Sequence, residues 1–220
     1  MLERQNCLWK TKYDPSKAVA YRPGKHEAEL GLINRVFREI PSGSVLDVPC
    51  GNGRLSVHLA KTGKYALSAA DYSESMLVLA SSAIKAQGIP FPVEKEDIES
   101  MSYPDRRSDT VLCFRLFHHY PDKTTRQKTV AELCRVANEY VVISYFSPFS
   151  VTSWKRRFRV LTGGKKPKKY STPLSEVNGY FANHGFELVR DFAQLSFLHT
   201  LHVALYRRKQ EIPLAKLPGY

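Results

Sequence analysis

Val45-Leu46-Asp47-Val48-Pro49-Cys50-Gly51-Asn52-Gly53-Arg54 is the stretch that decides the fold of this chain. Its first apolar residues suit a buried parallel strand. Gly51 and Gly53 permit a sharp turn that brings backbone N–H groups and a helix N-terminus toward a polar ligand. A second run, Tyr65 to Ala70, closes at Asp71, where a carboxylate can accept hydrogen bonds from both hydroxyls of a ribose. Strand, glycine turn, helix and acid in this order describe a nucleotide-binding unit. The third glycine of the dinucleotide fingerprint is missing, and a nicotinamide-binding domain or a purely structural α/β domain are the alternatives.

Outward from this unit, helices and strands alternate. Residues 27–40 repeat apolar positions at helical spacing and end before Pro41-Ser42-Gly43. A helix is expected from Arg54 to Thr62, stopping at Gly63, and another from a cap at Ser73 through Lys85 to near Gly88. Phe91 to Lys95 reads as a short edge strand because of Pro92, and Asp109 to Leu116 as the fourth strand. A helix fits Thr124 to Val136 and a strand Tyr140 to Phe146; Val177 to Asn183 reads as helix, Phe186 to Phe192 and Leu198 to Tyr206 as strands. Such alternation requires crossover connections and therefore a mostly parallel sheet.

Leu46-Asp47-Val48-Pro49-Cys50-Gly51-Asn52-Gly53 and Asp71-Tyr72-Ser73-Glu74-Ser75-Met76-Leu77 resemble the first two motifs of the class I S-adenosylmethionine-dependent methyltransferases. The resemblance continues through Glu96-Asp97-Ile98 and Asp109 to Phe117-His118-His119 and covers residues 15 to 145. It implies a Rossmann-like α/β fold with a seven-stranded, mostly parallel sheet, an antiparallel terminal hairpin and helices on both faces. It also implies S-adenosylmethionine as cofactor. Asp47 and the Pro49-Cys50-Gly51-Asn52-Gly53 turn would hold its amino-acid part, with Asp47 alternatively bracing the turn. Asp71 would hold the ribose and Asp97 the adenine amino group, while Ile98, Tyr72 and Met76 give apolar cover or, for Met76, simply core. Arg115, near the end of the fourth strand, completes this set. Tyr13-Asp14-Pro15 and Tyr21-Arg22-Pro23 resemble N-terminal segments that close over the cofactor, which makes residues 1–26 a lid with Tyr21 and Arg22 near the carboxylate.

Methyl transfer from a sulfonium leaves the protein to position the acceptor and, where needed, to deprotonate it. His118 and His119 would lie at the sheet's C-terminal edge. Either imidazole could take a proton near neutral pH, although the Phe117-His118-His119-Tyr120 run also resembles a structural signature of the family. The Asn/Asp-Pro-Pro-Tyr/Phe stretch with which many enzymes grip a planar nitrogen is replaced by Arg115 to Tyr120, and no cysteine pair suggests cysteine-mediated base methylation. A small-molecule or lipid-linked acceptor, methylated on oxygen, is the expectation. The alternatives are an RNA methyltransferase or a cofactor-binding module without activity.

At 220 residues and 43% hydrophobic content the chain suits a single domain. Its polar first residues do not read as a signal peptide and no run is long enough to span a membrane, so a cytoplasmic protein, monomeric or weakly dimeric, is expected. Cys7, Cys50, Cys113 and Cys134 lack metal-site spacing, and no metal is expected. The net charge of +12 is uneven: residues 151–220 carry 13 Lys and Arg against 4 Asp and Glu. The densest part lies in an inserted segment, 147–175, where Trp154, Phe158 and Tyr170 alternate with eight Lys and Arg. It suits an anionic or amphiphilic substrate first, peripheral contact with an anionic membrane second and RNA third.

Overall fold

A computed structural model of the chain describes residues 23–151, 158, 162, 169–194 and 200–210. Among the described residues the elements in chain order are α1 (Pro23–Phe37), β1 (Gly43–Asp47), α2 (Arg54–Ala60), β2 (Tyr65–Asp71), α3 (Glu74–Gln87), β3 (Val93–Lys95), β4 (Ser108–Cys113), α4 (Lys123–Val136), β5 (Ala137–Phe146), α5 (Leu174–Ala182), β6 (Phe186–Ala193) and β7 (Leu201–Arg208), with a 3-10 turn at Phe117–His119. The seven strands are ordered β3-β2-β1-β4-β5-β7-β6. The first five pair in parallel, and β7 runs antiparallel to both β5 and β6. The strand order reverses between β1 and β4, which opens a crevice above their C-terminal ends.

The continuous apolar runs of the central strands follow from burial on both faces. Successive residues point to opposite layers. On one face Val45, Leu112 and Val142 pack with Leu32, Ile33 and Val36 of α1. On the other, Leu46, Val111 and Val141 pack with Val130 and Leu133 of α4 and Val177 and Phe181 of α5.

Several boundaries differ from the sequence pattern, and two ends have a visible reason. Helix α1 begins at Pro23, whose fixed φ and missing N–H suit a first turn, and ends at Phe37 rather than residue 40. The Phe37 and Ile40 carbonyls accept the Tyr65 hydroxyl at 2.7 and 3.2 Å, and Ile40 also accepts Lys64 Nζ at 2.6 Å. Ser73 occupies the N-cap of α3, but its hydroxyl pairs with Ser75 Oγ at 2.9 Å instead of a helix N–H. Strand β4 stops at Cys113 because Arg115 takes φ 62 and donates its N–H to Ser144 Oγ at 2.6 Å. The hairpin strand placed at residues 198–206 runs instead from Leu201 to Arg208.

Gly53 is where α2 and α3 meet. Its φ is 74°, and a Cβ there would lie 3.1 Å from both the Cα and the Cβ of Ala80. Gly53→Ala therefore combines left-handed strain with overpacking against a helix backbone. It is expected to destabilise the protein by about 2–4 kcal/mol, read as a lower urea midpoint at unchanged m.

Candidate active site

The glycine turn is built around one carboxylate. The Val48–Pro49 peptide is cis, the Cys50 N–H donates to the Ala70 carbonyl at 2.8 Å, and Gly51 turns back with φ 56°. Asp71, at the end of β2 and 7% exposed, accepts the Gly51 N–H on Oδ2 and the Ser73 N–H on Oδ1, each at 2.9 Å. One side chain thus ties the turn after β1 to the start of α3. Burial raises its pKa against the opposing pull of these backbone donors. The Tyr72 N–H is a third backbone donor to this carboxylate; with about four lone-pair sites on an ionised carboxylate, acceptor capacity remains for a ligand hydroxyl. A Cβ on Gly51 would meet nothing within 4 Å, which leaves room for a ligand against the backbone of the turn.

Asp47 lies beneath the turn at 1% exposure, and its Oδ2 accepts Ser56 Oγ at 2.6 Å. That bond, to the first turn of α2, is the bracing role. Burial pushes the Asp47 pKa up to about 7, opposed by Ser56 and by the Arg54 charge. Beyond β3, Asp97 is half-buried and its Oδ1 accepts the Glu99 N–H at 3.1 Å. Met76 and Ile98 are buried, at 3% and 4%. Tyr72 is 40% exposed, with Lys95 Nζ 6.0 Å from its ring centre, and is the residue of the three that can present an apolar face to a ligand. Cys50 and Cys113 are buried, and desolvation drives their thiol pKa values far up, which makes them inert filler.

Arg115 stands at the end of β4, yet its guanidinium is engaged by Glu29, a residue the sequence reading did not single out. Glu29, on α1 and 3% exposed, also pairs with Arg54 at the start of α2. Arg54 in turn reaches His26 Nδ1 at 3.3 Å and stacks 5.6 Å from the centre of Phe114. The signal for Glu29 was present in the sequence. Positions 29, 32, 33 and 36 form one helical stripe, and a lone acid in an otherwise apolar stripe demands a buried cation.

His118 and His119 form the turn after β4. His118 is 1% exposed and stacks on Phe146, with ring centroids 4.1 Å apart and planes within 5°. His119 follows at 4.3 Å from the His118 ring and is half-buried. Neither ring nitrogen of His118 has a hydrogen-bond partner among the described residues. Desolvation, then the nearby cationic groups, depress both imidazoles, His119 to about 4 and His118 further. Both are neutral at physiological pH. The Tyr170 N–H donates to the His118 carbonyl at 2.9 Å and the Thr172 N–H to the Phe146 carbonyl at 2.8 Å, which fastens the far end of the basic segment to this turn. Tyr21, Arg22 and most of residues 1–26, together with much of 147–175, lie outside the described residues.

His202, which the sequence reading passed over, pairs with Asp191 through Nδ1 at 2.7 Å on the β6–β7 hairpin beside Tyr145. It lies on the sheet face opposite Phe146, since strand neighbours alternate.

Comparison with known proteins agrees with this arrangement. Residues 45–139 match the family described as a methyltransferase domain. An uncharacterized chloroplastic methyltransferase of Arabidopsis thaliana is 32% identical over 120 residues, covering 52% of this chain and 33% of that protein. A ubiquinone biosynthesis O-methyltransferase of Coxiella burnetii is 35% identical over 91 residues, covering 41% of this chain and 38% of its own length. The chain thus spans about a third of the length of these curated relatives. The crystal structure of magnesium protoporphyrin IX methyltransferase from Synechocystis PCC 6803 with bound SAH superposes with a TM-score of 0.67 at 19% identity, over 84% of this chain and 83% of that one. With its parallel sheet closed by an antiparallel hairpin and its glycine turn gathered on an acid at the end of β2, the chain has the fold of that methyltransferase, and its residues 45–139 carry the match to a methyltransferase domain.

Proposed function

We propose that this chain binds S-adenosylmethionine over the glycine turn and directs methyl transfer to the oxygen of a small-molecule or lipid-linked acceptor. The observation that carries the reading is Asp71, a buried carboxylate with acceptor capacity left over, beside a turn with open space at Gly51. Asp71 holds the ribose, Asp97 the adenine amino group, and Tyr72 covers the adenine. The turn from Pro49 to Gly53, braced by Asp47, faces the amino-acid part, with Arg115, Tyr21 and Arg22 toward its carboxylate. The cofactor supplies a methyl group on a cationic sulfonium; as the acceptor oxygen bonds to that carbon the carbon–sulfur bond breaks, and its electron pair stays on sulfur.

The chain's own residues orient the acceptor and take up its proton. His119 is the base in this reading, being the more accessible imidazole, and His118 packs behind it. Because the His119 pKa is lowered, the ring is neutral, and competent to accept a proton, at every pH above about 4. Activity that depends on it is expected to hold as pH falls through the ordinary histidine range and to be lost only near pH 4. His119→Ala should lower kcat by roughly 10²–10⁴-fold with an acceptor that binds protonated. An alanine variant with unchanged turnover and pH profile removes the base assignment.

The choice of a small or lipid-linked acceptor rests on the segment after β5. Phe149, Phe158 and Tyr170 are exposed large side chains, and they share that segment with eight Lys and Arg between residues 154 and 169. This combination suits an amphiphilic acceptor and peripheral contact with an anionic bilayer. The test needs no known substrate. Native mass spectrometry of the purified protein should find retained S-adenosylmethionine or its demethylated product. A methyl-donor screen should then find turnover on phenolic, quinone-like or lipid-linked pools. Transfer to RNA alone overturns the acceptor class, and cofactor retention without turnover on any pool makes the chain a binding module.

A further inference from the structure

Two buried carboxylates flank the glycine turn. Asp47 ends β1 at 1% exposure and Asp71 ends β2 at 7%. Their surroundings differ. Asp71 accepts three backbone N–H groups, those of Gly51, Tyr72 and Ser73, which favour its ionised form. Asp47 accepts from one residue, Ser56, by its hydroxyl at 2.6 Å and by its N–H. Among the described residues no Lys, Arg or His forms an ion pair with Asp47. The groups that face it are Arg54 and Ser56 at the start of α2, the Asp71 carboxylate at the end of β2, and the neutral thiols of Cys50 in the turn and Cys113 on β4. The cation among them, Arg54, is itself bonded to Glu29 of α1. A desolvated carboxylate with no ion-pair partner, beside a second buried carboxylate, keeps its proton far above the ordinary carboxylate range, and Asp47 keeps it up to about pH 7.

S-adenosylmethionine carries on its sulfur a positive charge that its demethylated product lacks, while adenine, ribose and amino-acid part are common to both. That sulfur joins the ribose to the amino-acid part. With the ribose on Asp71 and the amino-acid part over the turn that Asp47 braces, the charge falls between the two acids. We propose that Asp47 sets the preference of this site for the cationic cofactor over the product with neutral sulfur, releasing its proton to solvent when the cation binds and regaining one from solvent when methyl transfer removes that charge. The proposal rests on the methyltransferase reading above and adds a specificity role to a residue whose visible contact is the brace to Ser56. The brace alone gives no such preference, because the Ser56 bond is the same with either ligand. The coupling is reciprocal: the factor by which the cation lowers the proton affinity of Asp47 is the factor by which the proton lowers the affinity for the cation. Between charges in a buried site that factor is roughly ten or more.

Calorimetry with S-adenosylmethionine and S-adenosylhomocysteine, between about pH 5.5 and 8.5, tests this by the ratio of the two affinities. The ratio cancels every titration that both ligands feel alike, including that of the shared ribose contact at Asp71. In the wild type it should move roughly tenfold toward S-adenosylmethionine as pH rises toward about 7, because the acid form of Asp47 is lost there. Buffers of different ionisation enthalpy should report proton release with S-adenosylmethionine and less with S-adenosylhomocysteine. Asp47→Asn keeps an oxygen for the Ser56 hydroxyl but cannot ionise, so its ratio should be independent of pH and stay at the low wild-type value. Ser56→Ala removes a donor that favours the charged carboxylate and should carry the rise to higher pH; it decides the matter by itself if Asp47→Asn does not fold. A wild-type ratio that ignores pH, a rise that survives in Asp47→Asn, or an unmoved midpoint in Ser56→Ala overturns the proposal. Failure of both ligands to bind the wild-type protein is a separate outcome and defeats the methyltransferase reading itself.

Discussion

Asp71→Ala is expected to weaken S-adenosylhomocysteine binding by roughly a hundredfold or more while the protein stays folded. The proposed contact is a hydrogen bond from a ribose hydroxyl to a buried carboxylate. Such a bond contributes about 1.5–3 kcal/mol, or about one to two factors of ten. The structure adds a second loss. Asp71 also accepts the Gly51 and Ser73 N–H groups, and without it the turn loses the bonds that shape it for a ligand. Asparagine is no conservative substitute at this position. Its amide nitrogen would face a backbone donor in place of an acceptor oxygen, so Asp71→Asn should fall close to the alanine variant. Calorimetry on variants with native circular dichroism checks this, and equal affinity in wild type and folded Asp71→Ala would remove the ribose assignment.

Glu29→Gln is expected to produce the largest loss of stability. Glu29 is 3% exposed and the arginines it joins have side-chain exposures of 13% and 19%. Removing the carboxylate leaves two largely desolvated guanidinium groups repelling each other. Breaking a buried pair in this way costs about 3–5 kcal/mol. In a protein of this size a kilocalorie moves Tm by about 2–4 °C, so a drop of roughly 6–20 °C is expected in a thermal melt. Because the triad joins α1, α2 and the end of β4, the same change should loosen α1 where it meets the strand ends beside the glycine turn and weaken cofactor binding. Adding Arg115→Gln should recover part of the loss, since it removes one of the stranded charges. A shift of only a degree or two would show that water screens the triad.

The chain order of elements and the position of the cofactor turn were legible in the sequence because both follow from local rules. Two apolar faces on each central strand, an apolar helical stripe and glycine where φ must be positive are properties of neighbouring residues. Asp71 was legible for the same reason, lying at the end of the strand that it terminates. The helix and strand ends were less so. The close of α1 depends on Lys64 and Tyr65, and the close of β4 on Ser144, residues remote in sequence whose side chains take or supply the last backbone bonds.

Tertiary structure alone decided how the charges are shared. Arg115 read from the sequence as one of the cofactor contacts, whereas folding brings Glu29 to it across 86 positions and Arg54 to the same carboxylate. The histidine pair read as two candidate bases or as a structural turn, with nothing to tell the two rings apart. Stacking on Phe146 buries one and leaves the other half-buried, and desolvation first, with Lys169 and Arg115 adding to it, keeps both neutral. Local sequence sets backbone conformation and the face each side chain takes, because those depend on neighbours within a turn or a strand. Desolvation and Coulomb interaction act through space, and only the folded chain brings together the groups between which they act.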